Sequence, residues 1–503
     1  MRKKLVCLLL VTLLVLSSTG IAAYAGQPDR TYTYEDSEAV PSTNIYQVKK
    51  IVDASIMGTT RMANPSDIFV DNSDRVFILD RGNCRVLILD KDYKLIKELK
   101  DFTYEGKTVN LGLNGEYGAE GLFFRESNKS LYIADTVNNR IIVSDLEGNI
   151  SKIYNKPEDE LLVSDDPDAP VKAYKPQKII VDNMGIMYVD SADYNTGAMM
   201  VDSANNFLGF YGTNKLKMTA AMQLEYFWRS ILTEAQNAQS DQSFQTVEFQ
   251  NVFWSEDRFV YAVSPIVENL AATVVKLNAL GRNVFTQNID FNTIETNSGI
   301  DNMNLVDITV DNEGVFTVVD SETGRLFQYD ENCNLLGVFG GIGYQKGLFI
   351  SGAITAIESD SENNLLVLDS NKGTITVMEQ TYYGKMIRSA NNLYNEGRYL
   401  ESIEPWMDVL RMNANYTRAY VGLGKAYIGM GEYEKAMDFF IVGGDKDGYA
   451  EAKAALRDET VREYFGLVAA VVIVAMIGIL GSDQIKEIFN KIAWKLATRK
   501  KGE

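Results

Sequence analysis

Short apolar runs closed by Asp-led turns recur along much of the chain. VFILDRGNCR ends at Arg85, LYIADTVNNR at Arg140 and FTVVDSETGR at Arg325, each reading strand, Asp, four residues, Arg, strand. A fourth run, LLVLDSNKGT, keeps Asp369 but places Thr374 where the others carry Arg. Weaker copies lie around Asp190 and Ser264. Upstream of most copies sits another apolar run with an Asp-Asn turn, as in DIFVDNSDR, KIIVDNMGI and DITVDNEGV, whose chemistry suits a tight hairpin. Junctions at 80, 135, about 191, 264, 320 and 369 mark six units of roughly 50 to 56 residues, with one longer gap. That spacing predicts four short antiparallel strands per unit and an all-β six-bladed propeller. Each blade then buries both of its faces against its neighbours, which is why the strands are apolar on both sides.

These motifs resemble the NHL-repeat family of six-bladed propellers over residues 44–382, most closely in the first, second and fifth units. Repetition also bears on the role of the acid–base pairs. A catalytic pair is expected once, whereas Asp80/Arg85, Asp135/Arg140 and Asp320/Arg325 recur at one offset, with Asp369 alone in the fourth copy. They are therefore read as ties for one kind of inter-strand turn, the carboxylate accepting turn N–H groups and a forked bond from the guanidinium. The last unit runs straight into a helical pattern without an outermost strand, and residues 45–52, IYQVKKIV, are expected to supply it and close the ring. Residues 26–43, polar and Pro-containing, read as a flexible lead-in.

Periodicity changes in two places. In the gap between junctions, Leu224, Phe227, Trp228, Ile231, Leu232 and Ala235 fall on one helix face, predicting a helical insertion over residues 214–240 that projects from a rim. Units three and four flank it and depart most from the Asp-x4-Arg pattern, so a ligand or partner contact is placed near Tyr194, Tyr226 and Trp228, whose aromatic faces suit sugar rings or apolar peptide groups. After the propeller, Gly397/Gly431, Tyr399/Tyr433, Ser402/Ala436 and Trp406/Phe440 repeat at a spacing of 34 residues. YVGLGKAY followed by GEYEKAMDFF matches the tetratricopeptide pattern, and residues 383–460 are read as a tetratricopeptide-like helical domain.

The termini set the compartment. Residues 1–25 read as a signal peptide, with Arg2-Lys3-Lys4, an apolar run and an Ala23-Tyr24-Ala25 cleavage site. Residues 465–481 are 17 residues without a charge, predicting a single transmembrane helix. The basic tail, 482–503, then places the C-terminus in the cytoplasm and the rest outside it. Signal and tail each carry a surplus of three positive charges, so the net −19 leaves −25 between them. Such a balance argues against nucleic acid or anionic lipid as a ligand of the exported part. Of the cysteines, Cys84 and Cys333 lie beyond the signal, and the spacing leaves open whether they pair. There is no histidine, which excludes Ser-His-Asp, Cys-His and His-zinc chemistry.

The reading that follows is a membrane-anchored, extracytoplasmic binding or scaffold protein. It recognises a protein partner or an extracellular carbohydrate or peptide ligand within a transport or cell-envelope complex, with no catalytic residue, metal or cofactor expected. The alternative is a metal-dependent lactonase- or lyase-like enzyme, which similar propellers imply through inward Asp, Glu and Asn in the channel.

Overall fold

The computed structural model describes residues 31–35, 38–112, 118–162, 173–192, 194, 196–212, 249–266, 272–285, 287, 289, 291 and 303–499. The signal, the helical insertion with Tyr226 and Trp228, and residues 500–503 of the tail lie outside them. The chain divides into two compact units, Met1–Lys385 and Met386–Glu503.

The first unit is a six-bladed β-propeller. Four-stranded antiparallel sheets run in chain order from Asp67–Val70 to Leu95–Leu99 in blade one, from Gly121–Arg125 to Ile150–Tyr154 in blade two, and from Lys175–Val181 to Phe207–Tyr211 in blade three. Three strands of blade four are described, from Asn251–Trp254 to Val274–Leu277. Blade five spans Leu305–Val310 to Leu335–Gly340. Blade six has three strands from Ile354–Ser359 to Thr374–Gln380, and the last of them pairs with Tyr46–Val52 in the register Ile375↔Val52 to Gln380↔Tyr46. The expected closing strand is therefore in place.

Period-two alternation explains the packing. In blade one, Phe77 and Leu79 point to a core shared with Leu122, Phe124 and Ile133 of blade two. Val76 and Ile78 point the other way, into a core shared with Leu366, Leu368 and Val377 of blade six. Both faces of each inner strand are thus buried, at about 25 cal/mol per Å² of apolar surface removed from water.

Aspartate starts the hairpin turns. Asp71 Oδ1 accepts from the backbone N–H groups of Ser73 and Arg75, and Asp182, Asp311 and Asp360 repeat the arrangement between the first two strands of their blades. Asp90, Asp145, Asp202 and Asp330 do the same between the last two strands. Much of the acidic balance is thus turn chemistry, each carboxylate replacing a backbone acceptor.

One expectation is corrected. The segment read as a flexible lead-in contains a hairpin, Thr31–Glu35 with Glu38–Ser42, which joins the outer edge of blade five through Tyr32↔Val338. Leu335–Gly340 would otherwise present unpaired N–H and C=O groups there, and alternating Thr and Tyr residues suit a strand on that edge. In blade three, a bulge before Lys178 matches the one before Asp307 in blade five, so Ser191 holds the turn position that Asp320 holds there, in agreement with the junction expected at about 191.

The helical region contains α1 (Tyr382–Asn395), α2 (Tyr399–Met412), α3 (Thr417–Gly429), α4 (Tyr433–Gly443) and α5 (Lys446–Arg499). Gly397 and Gly431, 34 positions apart, both adopt φ of +77°, and each turn closes with the same pair of backbone bonds. Gly424 is required by close approach: a Cβ there would lie 2.6 Å from the Phe440 ring. Among the described residues one helix is long and apolar enough to cross a membrane, within the 34-residue stretch Lys446–Ile479, where 18 consecutive residues reach a mean hydropathy of 1.9.

Candidate functional site

The innermost strands wall a central channel of about 1060 Å³. Position by position, Asp67, Gly121, Lys178, Asn251, Asp307 and Ala356 occupy one register, opposite Leu79, Ala134, Asp190, Val263, Val319 and Leu368 of their second strands. The repeat thus sets six equivalent positions in one register, and the sequence fills them unequally. Bulges just before Lys178, Asp307 and Ala356 set how those residues meet their neighbours.

Blade two contributes glycine, and the space is used. Lys178 Nζ of blade three reaches Asp67 Oδ1 of blade one at 2.8 Å. At Gly121, between them, a Cβ would lie 2.3 Å from the Gln177 carbonyl oxygen. The other Asp67 oxygen accepts from Leu122 N–H of the next blade at 2.8 Å. Asp307 repeats this device, accepting from Ile357 N–H of blade six at 2.7 Å, while its other oxygen accepts from the Asn251 amide and Ile308 N–H. Beside it, Thr309 Oγ1 donates to Glu358 Oε2 at 2.8 Å.

Electrostatics follow from burial. Burial pushes the Glu358 carboxyl up to about 8, with Asp307 and Asp67 adding repulsion. Burial likewise raises Asp307 to about 7, against the pull of Lys178. Burial opposes the charge on Lys178, yet Asp67 and Asp307 hold its ammonium above the ordinary lysine value. Near neutral pH the collar therefore carries one fixed cation and two carboxyls poised to exchange a proton, a pattern suited to hydrogen-bond donation and to acid–base work. Among the described residues no three Asp, Glu, Cys or His side chains group as a metal site.

The sequence-predicted residues lie elsewhere. Asp80 is fully buried and accepts from Arg85 Nε at 2.7 Å, Ala63 N–H at 2.8 Å and the Asn83 amide at 2.8 Å. Asp135 accepts from Arg140 Nε at 2.8 Å and from Asn138. Burial raises its pKa against both partners. Asp320 accepts from Asn304 and Glu322 N–H and the Thr323 hydroxyl, while Arg325 faces it in the register with its guanidinium 5.7 Å from the Tyr32 ring centroid. Asp369, without an arginine opposite, accepts from Lys372 N–H. None of these lines the channel. Tyr194, placed by the sequence at a ligand contact, is only 2 % exposed, donates its hydroxyl to Leu162 O and packs in the core, so it offers no free face. Cys84 and Cys333 are both free thiols.

Sequence reasoning missed Asp67, Lys178, Asn251, Asp307 and Glu358. A signal was present: DIFVDN, KIIVDN and DITVDN align, and their first residues are Asp67, Lys178 and Asp307.

No family model matches the chain, and no curated protein matches it. Among solved structures it is similar to a streptogramin B lyase, with 10% identity over 67% of this chain and 98% of that chain and a TM-score of 0.41. A protein of unknown function from Bacteroides thetaiotaomicron shares 12% identity over 70% of this chain and 82% of that chain, at a TM-score of 0.41. The WD40 propeller of Doa1 shares 10% identity over 67% and 98%, at a TM-score of 0.36.

Proposed function

We propose that the chain is a membrane-anchored extracytoplasmic binding or scaffold protein, an NHL-type propeller on tetratricopeptide-like hairpins, whose ligand seat is the propeller channel. The observation that carries this reading is the collar itself. Lys178, Asp67, Asn251 and Asp307 are bonded to one another or to blade backbones, so the collar's shape is held by its own hydrogen bonds and ion pair. Tyr226 and Trp228 belong to the proposal as aromatic faces for a sugar ring or an apolar peptide group. The uncharged stretch 465–481 supplies the anchor, with the basic tail on the cytoplasmic side.

A second reading is favoured by one observation, the two channel carboxyls that titrate near neutrality, which suit a lactonase- or lyase-like acid–base step. One experiment separates the readings. The full-length chain is purified in mild detergent from native membranes, and co-purifying proteins and small molecules are identified by mass spectrometry, alongside Lys178→Met. The binding reading expects a constant-stoichiometry companion that the variant loses while its fold persists. Turnover of lactones by the wild type, abolished in Glu358→Gln, would overturn it.

A further inference from the structure

We infer that the segment after the candidate span, residues 482–499 of α5, lies along the membrane surface as an amphipathic helix on anionic lipid headgroups, an inference that rests on the anchored reading above. Positions 485, 488, 489, 492 and 496 fall within about 100° of one helical face, the width of a buried stripe. Ile488, Phe489 and Ile492 are at least half exposed, as is Trp494 on the opposite face.

Two features say what covers the stripe. The first is continuity: α5 is one helix from Lys446 to Arg499, so the tail begins where the uncharged stretch ends and is delivered to the headgroup layer. Eighteen residues span about 27 Å, and the Gly481-Ser482 pair is where such a helix bends most easily. The second is charge. Lys486, Lys491 and Lys495 flank the apolar stripe, and Arg499, Lys500 and Lys501 follow, against Asp483, Glu487 and Glu503. A second copy of so basic a segment is repelled, whereas an anionic lipid surface takes the apolar stripe and the flanking ammonium groups together.

Phe489 and Trp494 give the test, because a surface-lying helix separates them and a helix standing straight off the membrane does not. The full-length chain, with its native cysteines replaced by serine and a nitroxide at Phe489→Cys, Ile492→Cys or Trp494→Cys, is reconstituted into phosphatidylcholine vesicles with about one third phosphatidylglycerol. Labels at 489 and 492 should collide with oxygen in the lipid, and the label at 494 with a water-soluble nickel chelate. Lys491→Gln and Lys495→Gln should each lower the lipid-inserted fraction about fivefold. Water exposure at all three positions, or spin–spin broadening between chains, overturns the inference. Alkaline extraction keeps the two readings apart: a chain that resists it but leaves 489 and 492 in water refutes only the tail, whereas an extracted chain refutes the anchor and the tail with it.

Discussion

Glu358→Gln should make the protein more stable, and only above acidic pH. Glu358 is 6 % exposed, and its carboxyl titrates near 8 instead of the ordinary 4.5. Between those values the folded chain keeps a proton that the unfolded chain has released, so stability falls as pH rises through this window and levels off above about 8. A rise from 4.5 to about 8 amounts to about 5 kcal/mol if nothing relaxes, and to about 2 kcal/mol if water reaches the ionised group. Glutamine keeps the shape and the acceptor for Thr309 and Ser359 N–H but cannot ionise. Asp307 titrates beside it, so the pH profile belongs to the pair. Unfolding free energies of wild type and variant from urea titration should coincide near pH 4 and diverge by about 2–5 kcal/mol by about pH 9. Parallel curves across that range would mean that Glu358 is already ionised at neutral pH, and would refute the assignment of the collar as a proton-exchanging site.

Asp135→Ala should destabilise the propeller by about 1–3 kcal/mol, because Asn138 and Arg140 lose a buried acceptor; loss of partner capture with an unchanged melting temperature would make it a binding residue instead. Gly121→Ala should cost about 1–3 kcal/mol or prevent folding, since the new methyl meets the Gln177 carbonyl, and a melting temperature equal to wild type would refute the packing given for the collar. Protease added to intact cells should remove the propeller and spare an epitope placed after Ser482, and the reverse pattern would invert the topology.

How much of this was legible in the sequence depended on whether a feature repeats. Six Asp or Ser junctions at near-equal spacing carried the blade count, and IYQVKKIV carried the closing strand, because both are patterns of sameness or of a missing part. The hairpin Thr31–Ser42 was not legible: a short polar strand, Thr31–Glu35, is fixed by the edge it finds on blade five, 306 positions away along the chain in the pairing of Tyr32 with Val338. The collar was hidden for the opposite reason to the blades. Asp67, Gly121, Lys178, Asn251, Asp307 and Ala356 share a position and little else, so a search for likeness between repeats discards the place where they differ.

Ring closure also sets the order of events when the chain is made. The Tyr46 hydroxyl bonds to the Asn363 carbonyl, 317 positions later, and the strand around Tyr46 has no sheet of its own until blade six exists. At roughly 5–20 residues per second, synthesis leaves that strand waiting for tens of seconds, with Ile45, Tyr46 and Val52, each at most 2 % exposed in the finished ring, open to water and to other chains. Lys49 and Lys50 within the strand discourage pairing with strangers meanwhile, as charges on an unpaired edge do. The strand that closes the ring is therefore among the last to find its partner, and until it does its apolar residues are the ones a chaperone would cover.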